Sequence, residues 1–243
     1  MTVRLHLIWG ATTTGKTGLA VERALASGAP VIALDRVQCC VGVEMGSGRP
    51  TPAELQGTVR EYLCDRPVSD GVVTAEQSHR LLVERVGMQA RLHDLLILEG
   101  GSVSLLNAMV RSPYWSEKCE WVLQRVPLPD EDRFMRRALL RVESMVCPPE
   151  GGAGMLHELA ALWGDPRNHA VLEDIDGYRQ VIRLARERGW QPDRMVSLGG
   201  PDLAHLVRRI AREYWEHALW QEREFLPIPA TWNIAARVPA RIA

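Results

Sequence analysis

The segment that leaves this chain the fewest folds is Gly10-Ala11-Thr12-Thr13-Thr14-Gly15-Lys16-Thr17, which matches G-x-x-x-x-G-K-[ST] in full. It follows an apolar run, Leu5, Leu7, Ile8 and Trp9, and from Lys16 to Ala26 the spacing turns helical. The segment therefore reads as strand, loop and helix, the setting in which the pattern has a mechanism. Glycines let backbone amides curl around a phosphate at the positive end of a helix. Gly10, Thr13, Thr14, Gly15 and Lys16 would line a diphosphate. Lys16 would neutralise its outer phosphate, and the Thr17 hydroxyl would hold a bridging Mg2+ ion.

Such a loop needs a parallel sheet around it, and the chain supplies the strands. Pro30 to Leu34 is a buried-type strand ending at Asp35, Leu95 to Leu98 is another stopped by Glu99-Gly100-Gly101, and Trp121 to Leu128 is a fourth. A Gly-rich stretch of low apolarity, Gly42 to Pro52, reads as a functional loop. Helices are expected over Thr74 to Arg91, with Thr74 as N-cap, over Ser102 to Val110, and from Pro129-Asp130 to Met145. The alternation predicts an α/β fold, a P-loop NTPase-like parallel sheet flanked by helices. Further on, Met155 to Trp163, Glu173 to Arg188 and Pro201 to Phe225 are helical in period with no strand between them. We expect residues 1–128 to form the α/β core and residues 129–226 a smaller helical subdomain closing the active site. Residues 227–243, Pro-rich and without an apolar period, read as a loosely held tail.

The 243 residues carry 29 basic and 30 acidic side chains, so the net charge of -1 gives no general attraction to a polyanion. Lys16 and Lys118 are the only lysines; where arginine fills almost every basic position, a retained lysine suggests a site needing a compact ammonium. The five cysteines, Cys39, Cys40, Cys64, Cys119 and Cys147, show no C-x-x-C or zinc-like spacing, which fits a reduced cytoplasm. No apolar run approaches the roughly 20 residues that span a bilayer, and the N-terminus enters a strand without a leader-like segment, so no membrane partner is expected.

A phosphate grip serves phosphoryl transfer, hydrolysis or diphosphate displacement alike. Glu99 stands where a nucleotidase usually has a metal-binding Asp, a mild count against ATP hydrolysis. Asp35 follows the second strand on the same carboxyl edge of the sheet as the loop. There a carboxylate can accept a proton, or simply cap a turn over Val37 to Cys39.

Taken together, Leu34-Asp35-Arg36-Val37-Gln38-Cys39-Cys40, Gly46-Ser47-Gly48-Arg49-Pro50, Leu98-Glu99-Gly100-Gly101-Ser102, Glu173-Asp174-Ile175-Asp176-Gly177-Tyr178-Arg179 and Glu216-His217-Ala218 resemble the bacterial adenylate isopentenyltransferases that make cytokinins. The resemblance runs in order from Leu5 to Glu224. It implies that the exocyclic amine of AMP attacks the allylic carbon of dimethylallyl diphosphate, or of its hydroxylated analogue, and that diphosphate leaves. It gives Asp35 the role of base and gives Thr12, Lys16, Thr17 with Mg2+, and Arg141 to the diphosphate. Ser47, Arg49 and Ser102 fall to AMP, and Asp176 and His217 to the far end of the prenyl tail. Departures exist: Thr13 and Thr14 replace the usual loop residues, and Cys147 to Ala153 lacks a basic residue that some relatives carry.

Two rivals remain at this point. A tRNA dimethylallyltransferase shares the P-loop, the Asp after the second strand and the Gly177 to Gln180 stretch. Those enzymes usually add a helical domain for the anticodon stem, for which this chain has no spare segment, so no nucleic acid partner is expected. A small-molecule kinase would instead make ADP from ATP.

Overall fold

The computed structural model describes residues 2–149 and 151–232. Its strands are β1 (Val3–Trp9), β2 (Val31–Leu34), β3 (Cys40–Val41), β4 (Arg60–Glu61), β5 (Arg66–Pro67), β6 (Leu95–Gly100) and β7 (Cys119–Arg125). Its α-helices are α1 (Lys16–Ser27), α2 (Pro52–Leu55), α3 (Ala75–Gln89), α4 (Val103–Arg111), α5 (Tyr114–Lys118), α6 (Glu131–Val146), α7 (Met155–Trp163), α8 (His169–Asp174), α9 (Tyr178–Glu187) and α10 (Gly200–Glu224).

Strand alternation decides the layers. Leu5, Leu7, Ile32, Leu34, Leu96 and Leu98 point to one face and pack with Leu82 and Val86 of α3 and with Leu105, Leu106 and Met109 of α4. Ile8, Val31 and Ile97 point to the other, against Ala20 and Ala24 of α1. Register follows: Leu7 lies opposite Leu98, and Ile32 opposite Leu98 on the far side of β6. The sheet has the order β4-β2-β6-β1-β7 and every pairing is parallel. Both faces are covered, as an all-parallel sheet requires. Trp9, Leu34, Gly100 and Arg125 end their strands at one level, so the loops after β1, β2, β6 and β7 share one edge.

Helices α6 to α10 build a second core from Phe134, Val142, Leu159, Tyr178, Val181, Ile210 and their neighbours. Ala11 of the phosphate loop belongs to this core, so the helical half is packed against the loop itself.

Two expectations change. Glu173 to Arg188 is not one helix: α8 ends at Asp174, and α9 begins at Tyr178. Gly177 between them has φ 87°, a left-handed conformation that breaks the helix and is costly for other residues. Asp176 thus lies in the break rather than on a helix. The tail is also less loose than its composition implies, up to residue 232. Leu226 N–H donates to Asn107 Oδ1 at 3.0 Å, and Trp232, 1% exposed, stacks on Trp121 with ring centres 4.2 Å apart. Composition does not report this, because one anchoring aromatic suffices. Residues 233–243 of the proposed tail lie outside the described residues.

Candidate active site

The phosphate loop connects β1 to α1 and is held from three sides. Within it, the Ala11 carbonyl accepts from the Thr14 hydroxyl at 2.9 Å and from the Lys16 ammonium at 2.6 Å. Thr13 adopts a left-handed φ of 61°. From α6, Arg137 donates to the Thr14 carbonyl at 3.2 Å. From α10, the Gln221 carboxamide oxygen accepts from the Thr12 N–H at 2.7 Å, and its nitrogen donates to the Gly101 carbonyl at 2.7 Å. A Cβ on Gly101 would come within 2.7 Å of the Gly10 carbonyl, so only glycine lets β6 end this close to the loop.

Lys16, Asp35, Glu99 and Arg60 form the charged floor of the site. Burial lowers the Lys16 pKa, partly opposed by the negative charges of Glu99 and Asp35. Burial likewise raises the Asp35 pKa; its hydrogen bonds from Gln38 and Val37 oppose that, and the Glu99 charge adds to it. Glu99 is committed to Arg60, whose Nη2 lies 2.7 Å from its carboxylate, with both side chains 3% exposed. β4 supplies that arginine. A two-residue strand has no period, so sequence reasoning passed over it.

Asp35 does one thing visibly: its Oδ1 accepts from Val37 N–H at 2.9 Å and Gln38 N–H at 3.2 Å, capping the turn at Val37 to Cys39. Its second oxygen has no hydrogen bond among the described residues. Capping and proton acceptance therefore use different atoms and can coexist. Ser102 is at the same edge, with its N–H donating to the Leu34 carbonyl next to Asp35 at 3.3 Å, and its hydroxyl makes no capping bond.

The loop carrying Ser47 and Arg49 is strapped down by residues that the sequence did not single out. Glu158 of α7 accepts from the N–H groups of Met45 at 2.7 Å and Gly46 at 2.9 Å, and from the Tyr178 hydroxyl at 2.5 Å. A Cβ on Gly46 would lie 2.2 Å from the Tyr178 ring, so this glycine and the Gly177-Tyr178 stretch fit face to face. Ser47 donates its hydroxyl to the Glu44 carbonyl at 3.2 Å. Arg49 donates to the Gln38 carbonyl at 2.8 Å and lies over the Tyr62 ring at 4.1 Å, tying the loop to the segments on either side of it. Arg141 bonds Glu54 at 2.8 Å and the Gly48 and Arg49 carbonyls at 3.2 and 3.3 Å. Its partners thus lie in the Ser47 and Arg49 loop and in α2 just after it, whereas Arg137, one turn earlier on α6, bonds the phosphate loop.

Asp176 and His217 meet, as the resemblance implied. His217 Nδ1 lies 2.8 Å from Asp176 Oδ2, and Arg179 holds the other carboxylate oxygen at 2.8 Å. Burial pushes the Asp176 carboxyl up, but its bonds and charges from His217 and Arg179 win and leave its pKa lowered.

Among the described residues, no group of three or more His, Cys, Asp or Glu side chains could hold a metal ion. No described helix is long and apolar enough to cross a membrane.

Comparison with known proteins adds three findings. Residues 3–236 match the family described as isopentenyl transferase. The chain is 59% identical over 232 residues to an adenylate dimethylallyltransferase of Ralstonia nicotianae, covering 96% of this chain and 98% of that protein. It is 47% identical to another of that name from Agrobacterium tumefaciens, covering 91% and 90%. The structure also resembles a tRNA delta(2)-isopentenylpyrophosphate transferase of Staphylococcus epidermidis, with a TM-score of 0.68 and 13% identity over 94% of this chain and 92% of that one. At that identity the likeness speaks for the fold alone.

Proposed function

The chain belongs to the isopentenyl transferase family, and within it we propose an adenylate dimethylallyltransferase. It moves a dimethylallyl group, plain or hydroxylated, from its diphosphate to the exocyclic amine of AMP and releases diphosphate, a step of cytokinin biosynthesis. The observation that carries this reading is the convergence of the phosphate loop and Asp35 on one sheet edge, close enough for the Asp35 charge to act on Lys16.

In the proposed reaction the amine lone pair forms the new C–N bond at the allylic carbon. The C–O bond breaks, and its electron pair leaves with the diphosphate. An adenine amine is a weak nucleophile because its lone pair is shared with the ring, so Asp35 Oδ2 takes its proton. Negative charge grows on the departing diphosphate. Lys16, the Thr12 hydroxyl and the loop amides stabilise that charge more in the transition state than in the ground state. Glu99, paired to Arg60, is not offered to a hydrolytic water. Arg141 is kept for the departing diphosphate, and Ser47, Arg49 and Ser102 for the acceptor nucleotide.

Mg2+ is part of the proposal. The Thr17 hydroxyl, in the first turn of α1 next to Lys16, is a hard oxygen donor of the kind that Mg2+ takes. Thr17 would hold it, and it would supply positive charge to the leaving group. The Asp176 and His217 pair supports acceptance of the hydroxylated donor, because its polar atoms can replace hydrogen bonds from water. Five free thiols fit a cytoplasmic location.

The test is incubation with Mg2+, AMP and dimethylallyl diphosphate, with product mass as readout. Prenylated AMP is expected. Prenylation of an anticodon stem-loop RNA in preference to AMP, or ADP formation from ATP, would overturn the reading.

A further inference from the structure

Gln221 is buried, 4% exposed, yet its two polar atoms reach two backbone groups from distant parts of the chain. Its oxygen takes the Thr12 N–H and its nitrogen serves the Gly101 carbonyl, both at 2.7 Å. The same side of α10 repeats the device at four-residue spacing. His217, one turn earlier, holds Asp176 at 2.8 Å. Glu213, one turn before that, accepts from Gly177 N–H at 2.7 Å and from Gln180 at 2.9 Å. Residues four apart on a helix stack on one face, so Glu213, His217 and Gln221 form a single polar stripe.

The two ends of a prenyl diphosphate site hang from neighbouring positions of that stripe. The diphosphate loop is fixed at position 221 and the tail pair at position 217. Four residues of helix rise about 6 Å, the scale of a five-carbon allylic chain. We propose that Gln221 is a positioning residue: it seats α10 on the phosphate loop, and so one helix sets both the aim of Thr12 and the distance from diphosphate to tail pocket.

The alternatives are weaker on chemical grounds. Without Gln221 the half-buried Thr12 N–H and Gly101 C=O would lose this partner, and such groups are ordinarily paired. A residue serving packing alone would not need both ends of a carboxamide placed at 2.7 Å. The inference rests on the prenyl-transfer reading for the meaning of its tail-pocket arm, but its diphosphate arm does not.

The experiment uses the full chain as wild type and as Gln221→Met, which keeps length and burial and removes both hydrogen bonds. Gln221→Asn, which can reach only one of the two partners, stands in if the first variant does not fold. Three quantities are read: affinity for inorganic diphosphate with Mg2+ by calorimetry, KM for each substrate, and the product ratio when hydroxylated and plain donors compete. We expect diphosphate affinity to fall and donor KM to rise by about tenfold, with the KM for AMP unchanged, since two neutral hydrogen bonds are lost at the loop. The product ratio should shift against the hydroxylated donor, because His217 moves with the helix. A lowered melting temperature with diphosphate affinity or product ratio still at the wild-type value would overturn the proposal. If wild type makes no prenylated AMP, the functional reading fails by itself, and the calorimetric arm still decides whether Gln221 aims the loop.

Discussion

Replacing Asp35 by Asn separates the two tasks that its carboxylate can perform. The Oδ1 atom receives the Val37 and Gln38 N–H groups at 2.9 and 3.2 Å, and an amide oxygen would receive them equally well. The other oxygen becomes an NH2 group, which cannot accept a proton. Turnover should therefore fall about 100-fold or more while the capped turn survives. Stability should not fall with it. Burial first, then the Glu99 charge, raises the Asp35 pKa against the opposing amide bonds and Arg60. For a carboxyl whose folded pKa exceeds its unfolded one, the stabilising contribution is present at low pH and is lost as pH rises through the folded value. At neutral pH the ionised group is thus a cost, and Asn removes it. The melting temperature of Asp35→Asn should equal or exceed that of wild type at neutral pH, with the difference shrinking toward about pH 4, where an unperturbed Asp protonates. For wild type, kcat/KM for AMP should lose activity in acid with a midpoint above the ordinary carboxylate range. Near-normal turnover in the variant would refute the base assignment and leave Asp35 a cap. A clear drop in melting temperature at neutral pH would refute the electrostatic argument.

Lys16→Ala should leave less than about a tenth of the activity, with the circular dichroism spectrum unchanged, because the ammonium acts on the leaving group. Glu158→Gln should destabilise the protein by about 1–3 kcal/mol in denaturant titration, since one of the Met45 and Gly46 N–H groups must then face an NH2 group. Equal stability would mean that the loop carrying Ser47 and Arg49 does not depend on this strap. The double change Asp176→Ala with His217→Leu should depress use of the hydroxylated donor while sparing the plain one, read as product ratio in competition; equal losses for both would return the pair to a structural role. Trp232→Ala should cost about 3–5 kcal/mol by removing the ring stacked on Trp121, and an unchanged melting curve would show that the segment after Phe225 is not anchored there.

What the sequence disclosed follows from what leaves a local trace. The phosphate loop, the long strands and the capped helices at Thr74 and Asp130 were legible, because each depends on neighbouring residues. Asp176 and His217 could be paired only through the family resemblance, since no period links residues 41 positions apart. Gln221, Arg137 and Glu158 were silent for a different reason. Each serves backbone atoms distant in the chain, and any residue can supply a backbone N–H or C=O, so no partner type marks the site. Arg60 was hidden by the shortness of β4. Arg49 reaches Gln38 and Tyr62, contacts that no spacing along the chain predicts.

The central place of β1 has a consequence for how the protein is made. Its two neighbours are β6 and β7, with Val3 opposite Cys119 and Trp9 opposite Gly100. β1 is made before either neighbour and must therefore wait for more than a hundred residues before both of its edges are covered, and parallel pairing across such separations is slow. During that interval an apolar strand with open edges is exposed to its neighbours on the polysome, the situation that chaperones relieve. The phosphate loop at its end waits longer still. Gln221, which pins Thr12, is made 209 residues after it, so the phosphate loop gains this support only once α10 has formed.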